Sequence, residues 1–303
     1  MTKILVTGAS GFVGQHFARM ARIAPLEVNG KFVDLLDAQG VEAAVAETRP
    51  DAVVHLAAQS FVPESFRDPL QTYRVNFIGT HNLLGALKAT AFTGRMLYVS
   101  SAEVYGAVPD SELPVRESQP LKPLNPYSVS KIAAEALCYQ WSQTEQFEVV
   151  VARPFNHIGP GQSERFAISD FAKRIVEIKR AQKEPVFHVG DIDTMRDFTD
   201  VRDVIRAYIA LLATGRNGEI YNVCSQREYS IRSLLTRMLE MASVKAEIVP
   251  DESRFRASQH RRMLGSYDKL YSDTQWRVEI PMERSLGDVL DYWTEKQHVA
   301  PSE

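Results

Sequence analysis

Cysteine is scarce, with two residues among 303, Cys138 and Cys224. They lie far apart and lack the close spacing of a metal knuckle, so reduced thiols are expected and neither a disulfide framework nor a metal site is. No apolar run approaches the roughly 20 residues that a membrane-spanning helix needs. Met1 leads straight into KILVT without a separate signal-type apolar stretch, so the expectation is a protein of the cytoplasm, neither exported nor membrane-embedded. Positive charge is not in excess either: 35 Lys and Arg face 38 Asp and Glu, a net charge of −3. Nothing here lays a basic stripe along a duplex, so nucleic acid is not an expected partner and any phosphate recognition must be local. Repeats, low-complexity tracts and a polar interdomain linker are also missing.

What is present is a rhythm. Apolar strand-like runs (KILVT, DAVVHLAA, RMLYVSS, EVVVARPF) alternate with helix-like stretches over Phe12 to Arg22, Leu70 to Lys88 and Pro126 to Gln143. Repeated βαβ units of this kind predict an α/β fold, a doubly wound Rossmann-type parallel sheet covered by helices on both faces. After Phe155 the rhythm loosens into the turn HIGPGQ, helices near Asp170 to Lys179 and Val201 to Ala213, and strands VFHVG and EIYNV. The helix-like stretches SIRSLLTRMLEMA and RSLGDVLDYWTEK follow. We read residues 1–155 as a dinucleotide-binding domain that some later segments rejoin. Residues 156–303 read mainly as a smaller α/β substrate-binding part.

Three stretches carry chemistry. In TGASGFVG, Gly8, Gly11 and Gly14 follow a strand and open a helix. Such glycines permit a tight turn, let a pyrophosphate approach the backbone and let helix pack on strand, while the helix N-terminus offers amide donors to phosphate. In YSVSK, Tyr127 and Lys131 stand at i and i+4 and share a helix face. An ammonium beside a phenol favours the phenolate, so the Tyr127 pKa is expected to fall toward working pH. In SSAEVYG, Ser101 and Glu103 place a hydroxyl beside a carboxylate at the end of a strand.

TGASGFVG, LAAQS, SSAEVYG and YSVSK, in this order and spacing, resemble the extended short-chain dehydrogenase/reductases that modify nucleotide sugars. The likeness covers nearly the whole chain. It implies a catalytic triad of Ser101, Tyr127 and Lys131, with Gly8, Gly11, Phe12 and Val13 on the pyrophosphate. It further implies Asp34 and Leu35 at the adenine, Leu56 and Ala57 lining the cofactor, Asn76 near the nicotinamide half, and Lys131 on the nicotinamide ribose. AAQSFVPESF, RPFNHIGPGQ and RDFTDVRDV resemble the branch that handles GDP-linked deoxyhexoses, the GDP-4-keto-6-deoxymannose reductases above all. By that likeness Asn156 holds the sugar or diphosphate and Arg196 and Arg256 clamp the diphosphate, as guanidinium forks match phosphate oxygens. Arg254, Arg261 and Arg262 are close competitors for the second clamp, and Asp197 or Asp200 is an alternative partner for Arg196. The implied reaction is NADP-dependent reduction of the C4 ketone of GDP-4-keto-6-deoxy-D-mannose to GDP-D-rhamnose or its C4 epimer. A GDP-mannose 4,6-dehydratase and a non-catalytic dinucleotide sensor are the alternatives.

Asp34 lies roughly 20 residues past Gly14, where a ribose-binding acid would imply NAD. The segment PLEVNGKFVDLLD is short, however, so FVD reads as the third strand and Asp34 as an adenine contact. Glu27 is then the remaining acid near strand two. Arg19 or Arg22 is placed to meet a 2′-phosphate, so NADP is preferred and NAD stays open. The stripes Leu83, Leu84, Leu87 and Ile132, Leu137, Trp141 read as packing surface. The resemblance alone implies a homodimer in which these two helices pair as a four-helix bundle. Ser101, Glu103 and Tyr127 are assigned to the sugar, with Glu103 holding a hydroxyl.

Overall fold

The computed structural model describes residues 3–251 and 261–299. Four apolar-run residues, all buried, form β1 (Ile4–Thr7), and the glycine turn opens α1 (Phe12–Met20). The chain returns as β2 (Ile23–Pro25), then folds β3 (Glu27–Val28) and β4 (Lys31–Phe32) into a short antiparallel ribbon. α2 (Ala38–Thr48), β5 (Ala52–His55), α3 (Val62–Arg67) and α4 (Pro69–Tyr73) follow. A π-helical turn, Arg74–Ile78, joins α4 without a break to α5 (Gly79–Ala89). Next come β6 (Arg95–Val99), a 3-10 turn at Ala102–Tyr105, α6 (Pro126–Thr144), β7 (Glu148–Pro154) and β8 (Asn156–Ile158). The rest is α7 (Ala167–Lys179), β9 (Val186–Val189), β10 (Met195–Asp200), α8 (Val201–Thr214), β11 (Ile220–Val223) and β12 (Glu228–Ser230). It closes with α9 (Ile231–Ala242), β13 (Glu247–Pro250), β14 (Arg262–Met263), α10 (Asp268–Thr274) and α11 (Met282–Val299).

The main sheet runs β11-β7-β6-β5-β1-β2, parallel throughout. Successive strand residues point to opposite faces. Leu5, Val53, Met96 and Val149 therefore pack with Leu83, Leu84, Leu87 and Ala134 of α5 and α6. Val6, Val54, Leu97 and Val150 pack with Phe17 of α1 and with Val204, Ile205 and Tyr208 of α8. The sheet is doubly wound, as its alternating apolar runs imply. FVD is not its third strand: Lys31–Phe32 pairs with Glu27–Val28 alone, and the sheet ends at β2. The stretch between Pro25 and α2 is too short for a crossover and another full strand.

A second layer gathers β8, β10, β12 and β14 into a small mixed sheet and β9 with β13 into another. Its core joins Ile168, Phe171 and Ile175 of α7, Leu234 and Met238 of α9, and Leu286 and Trp293 of α11. β11 and α8 come after this layer has begun but belong to the main sheet and its cover. β8 and β10 pair in parallel beside the carboxyl ends of the main strands, where ligands of open α/β sheets bind. No helix among the described residues is long and apolar enough to cross a membrane.

Candidate active site

The glycine turn leaves no room for side chains where a dinucleotide would lie. Gly8 has φ +71°, and a Cβ there would sit 2.9 Å from the Ala57 nitrogen. At Gly14 a Cβ would fall 2.3 Å from the Gly8 carbonyl oxygen. Gly11 caps α1 without a side-chain bond, and no acidic residue occupies the first turn. The first amides of α1, including those of Phe12 and Val13, are thus left for an anion, and the cradle fits a pyrophosphate. Leu56 and Ala57 follow β5 half-buried. Leu35 is buried beneath α5, while Asp34 is exposed and its carboxylate accepts from the Leu36 amide at 2.9 Å.

Behind the cradle lies a chain of bonds that sequence reading passed over. The Ala57 amide donates to Thr7 Oγ1 (3.1 Å), which lies 2.6 Å from His55 Nδ1. His55 Nε2 lies 2.9 Å from Thr80 Oγ1, and Thr80 donates to the Asn76 carbonyl at 2.7 Å. Burial pushes the His55 pKa down to about 3, so the ring is neutral and can accept from Thr7 and donate to Thr80. Asn76 sits in the π-helical turn. Its amide accepts from the Gln59 nitrogen (2.8 Å) and donates to the Gln59 carbonyl (3.0 Å) and to Ser130 Oγ (2.9 Å). It is a bracket between the cofactor-side loop and α6.

The 2′-phosphate assignment needs correction. β2 runs parallel to β1, so its ligand-facing end is Pro25, whereas Arg22 precedes its opposite end and Arg19 lies in the last turn of α1. Neither arginine belongs to the mouth of the site. The topology, rather than distance along the chain, excludes them.

Asn125 starts α6, accepting from the Ser128 amide at 2.8 Å with Pro126 in the first turn. That cap sets Tyr127 at the mouth and Lys131 one turn deeper. Tyr127 and Lys131 are both buried. Lys131 donates to the Val99 carbonyl at 2.8 Å and stands 5.9 Å from the Tyr127 ring centre. Burial raises the Tyr127 pKa to about 12, opposed by a hydrogen bond with Ser101 and assisted by the Glu103 charge. Burial also lowers the Lys131 pKa to about 8, against the pull of Glu135. The expected fall in the tyrosine pKa does not occur, because desolvation outweighs an ammonium directed at Val99.

Ser101 ends the strand extension, with its oxygen accepting from the Glu103 amide at 3.2 Å. Glu103 is exposed, and its carboxylate accepts from Asn125 Nδ2 at 3.3 Å. Asn156, on β8, is exposed and donates to the Asp197 carbonyl at 3.3 Å. Arg196, on β10, donates to the Met195 carbonyl at 2.8 Å. Burial lowers its pKa while Glu103 and Asp191 raise it, so Arg196 shares the electrostatic neighbourhood of the catalytic turn. The carboxylate of Asp197 is held by Ser225, Gln226 and Gly265, and that of Asp200 by Arg202 and Ser285. Arg262 is bound to Glu228 (2.6 Å) and Asp110 (3.1 Å). Arg256 and Arg254 lie outside the described residues. Ser101, Glu103, Tyr127, Lys131 and Arg196 come together. Asp34, Leu35 and the glycine turn stand apart on the cofactor side.

The GDP-mannose 4,6 dehydratase family matches residues 27–289. The chain belongs to that family. A GDP-6-deoxy-D-mannose reductase of Pseudomonas aeruginosa is 47% identical over 296 residues, covering 96% of this chain and 97% of the relative. A GDP-6-deoxy-D-talose 4-dehydrogenase of Aggregatibacter actinomycetemcomitans is 33% identical, covering 88% and 90%. Among solved structures, that of RMD from Pseudomonas aeruginosa complexed with NADPH superposes with a TM-score of 0.91 at 45% identity, covering 98% of this chain and 100% of that one. Members of the family share a nucleotide-sugar chemistry built on one fold, and this chain is an NAD(P)-dependent oxidoreductase of that kind.

Proposed function

We propose that the protein reduces the C4 ketone of GDP-4-keto-6-deoxy-D-mannose with NADPH, giving GDP-D-rhamnose or its C4 epimer. One observation carries the reading: a buried Tyr127 phenol that holds its proton beside Ser101, next to a turn with no acid at Ala102. A ketone becoming an alkoxide needs a proton donor, and a phenol with a pKa of about 12 is charged with one at neutral pH. The bound cofactor supplies the hydride. Tyr127 gives its proton to the C4 oxygen, the Ser101 hydroxyl bonds to the same oxygen, and the Lys131 ammonium stabilises the phenolate left behind. An ammonium has three donors, so the bond to Val99 leaves it able to meet a ribose hydroxyl.

The GDP-sugar reading is supported by the relatives that act on GDP-deoxyhexoses. In it residues 1–155, with β11 and α8, hold the dinucleotide, and residues 156–303 mainly hold the nucleotide sugar. Arg196 and Arg256 clamp the diphosphate, and Asn156 and Glu103 bind sugar hydroxyls. The alternative to NADP as cofactor is NAD. Ile168 and Ser169 stand in the first turn of α7. Both are buried, and Ser169 bonds to the Gln162 carbonyl (2.6 Å) and accepts from Trp293 (3.0 Å), so they brace the HIGPGQ turn and offer the substrate no charge. The free, buried cysteines support work in a reducing cytoplasm. Incubation with the 4-keto sugar should oxidise NADPH in step with product. Conversion of GDP-mannose to a keto sugar with no net change in cofactor would replace this reading with a dehydratase.

A further inference from the structure

Beneath the catalytic turn lies a buried ionic cluster that bears on the chemistry above only through the charge of Glu135 near Lys131. Glu135 stands on α6 one turn beyond Lys131 and two beyond Tyr127, on the same face, and is 5% exposed. Its carboxylate accepts from Arg153 Nε (2.9 Å) and Nη2 (2.5 Å) and from the Ser100 hydroxyl. Arg153, on β7 and 2% exposed, also donates to the Tyr105 oxygen at 3.0 Å. Tyr105 in turn donates to Asn222 Oδ1 at 2.6 Å, and Asn222 is fixed through the Val115 carbonyl (3.0 Å) and the Glu117 carboxylate (2.8 Å).

Ser100 and Tyr105 flank the stretch that carries Ser101 and Glu103. Both are tied to one ion pair, which also reaches α6, the helix that carries Tyr127 and Lys131. A buried ion pair is a poor source of stability, because well-packed apolar residues of the same volume often do as well or better. What a bidentate guanidinium–carboxylate fork supplies instead is a single relative orientation of the elements that bear it.

We propose that Glu135 and Arg153 are positioning residues that lock the Ser100–Gly106 turn to α6, and so hold Ser101 in register with Tyr127 over the reacting carbonyl. This rests on the reductase reading given above. Neither residue touches substrate or cofactor. A misplacement of about 1 Å in such a site can cost on the order of 10²-fold in rate.

The test compares Glu135→Gln with the milder Ser100→Ala, which removes only the hydroxyl tie. Each variant is assayed with the 4-keto sugar and NADPH, for NADPH dissociation by fluorescence, and for hydrogen exchange of the segment 100–106. The expected result for Glu135→Gln is a loss of roughly tenfold to a hundredfold in kcat. KM for the sugar and Kd for NADPH should stay within about threefold, and exchange should quicken in the 100–106 segment. Ser100→Ala should show the same pattern at smaller size with an unchanged Tm. If Glu135→Gln does not fold, Ser100→Ala alone decides. Wild-type kcat in a folded variant, or unaltered exchange in the segment, overturns the proposal. If the wild type itself fails to reduce the keto sugar, the reductase reading falls while the exchange data still judge the lock.

Discussion

At the scale of the residue, Tyr127 and Glu103 are the two groups that separate the proposed reduction from a dehydration. With Tyr127 as the proposed acid, Tyr127→Phe should lower turnover by at least about 10²-fold while nucleotide binding is nearly unchanged. With Glu103 in the proposed role of a hydroxyl-binding carboxylate, Glu103→Gln should keep ketone reduction within about tenfold, whereas loss of a true base costs on the order of 10²–10⁴-fold. Steady-state kinetics of the two variants side by side check both roles. Lys131 governs the pH dependence. It is faced by Glu135 and Cys138 from its own helix, by Tyr98 from β6, by the Tyr127 ring, and by neutral His55. With its pKa lowered from 10.5 to about 8, the ammonium is lost on the alkaline side. A limb falling above about pH 8 is therefore expected in kcat/KM, and it should vanish in Lys131→Met. For stability the sign is the reverse. The unfolded chain binds the extra proton between pH 8 and 10.5, so the cost of burying this lysine eases as pH rises through that window.

At the scale of the element, what was legible was what local pattern controls. The strand β1, the glycine turn and α6 stand where their apolar runs and turn residues place them, and Tyr127 and Lys131 share a face as their spacing requires. The ribbon of β3 and β4 was not legible, because whether FVD joins the sheet depends on the length of the return path and not on the apolar character of Phe32 and Val33. β10 was read as a motif alone. Its Asp197 and Asp200 are buried carboxylates satisfied by distant partners, which no strand periodicity announces. Glu135 and Arg153 were missed although a signal existed: a carboxylate at i+8 from Tyr127, and an arginine inside the apolar run EVVVARPF. Asn125 joins the two kinds of information, capping α6 while its amide nitrogen bonds to Glu103. Asn125→Ala should cost about 1 kcal/mol of stability, as lost N-caps do. It should also raise KM for the sugar more than it lowers kcat, a split that thermal melts and kinetics together resolve.

At the scale of the whole molecule, α3, α4, the π-turn and α6 carry exposed apolar side chains. Phe66 and Leu70 are each 61% exposed, Tyr139 is 58% exposed, and Ile78 and Val129 are exposed as well. Leu83, Leu84 and Leu87 are internal to the chain, so a pairing face on these helices must use the former set. A homodimer through that face should sediment at twice the 34.1 kDa chain mass, and Leu70→Asp with Tyr139→Asp should return it to the monomer. The two layers meet at the mouth of the main sheet, with His16 Nε2 lying 2.6 Å from the Pro160 carbonyl oxygen and Phe12 stacked on His157. In the proposed function, cofactor and nucleotide sugar share the cleft at this junction and a hydride crosses it to C4. The most direct measurement is the reaction of GDP-4-keto-6-deoxymannose with NADPH deuterated at nicotinamide C4, followed by NMR of the product sugar. One deuterium at hexose C4 is expected for each cofactor oxidised when the labelled face is the one transferred. Keto sugar recovered without label from either face, with the cofactor unconsumed, would contradict the proposed reduction.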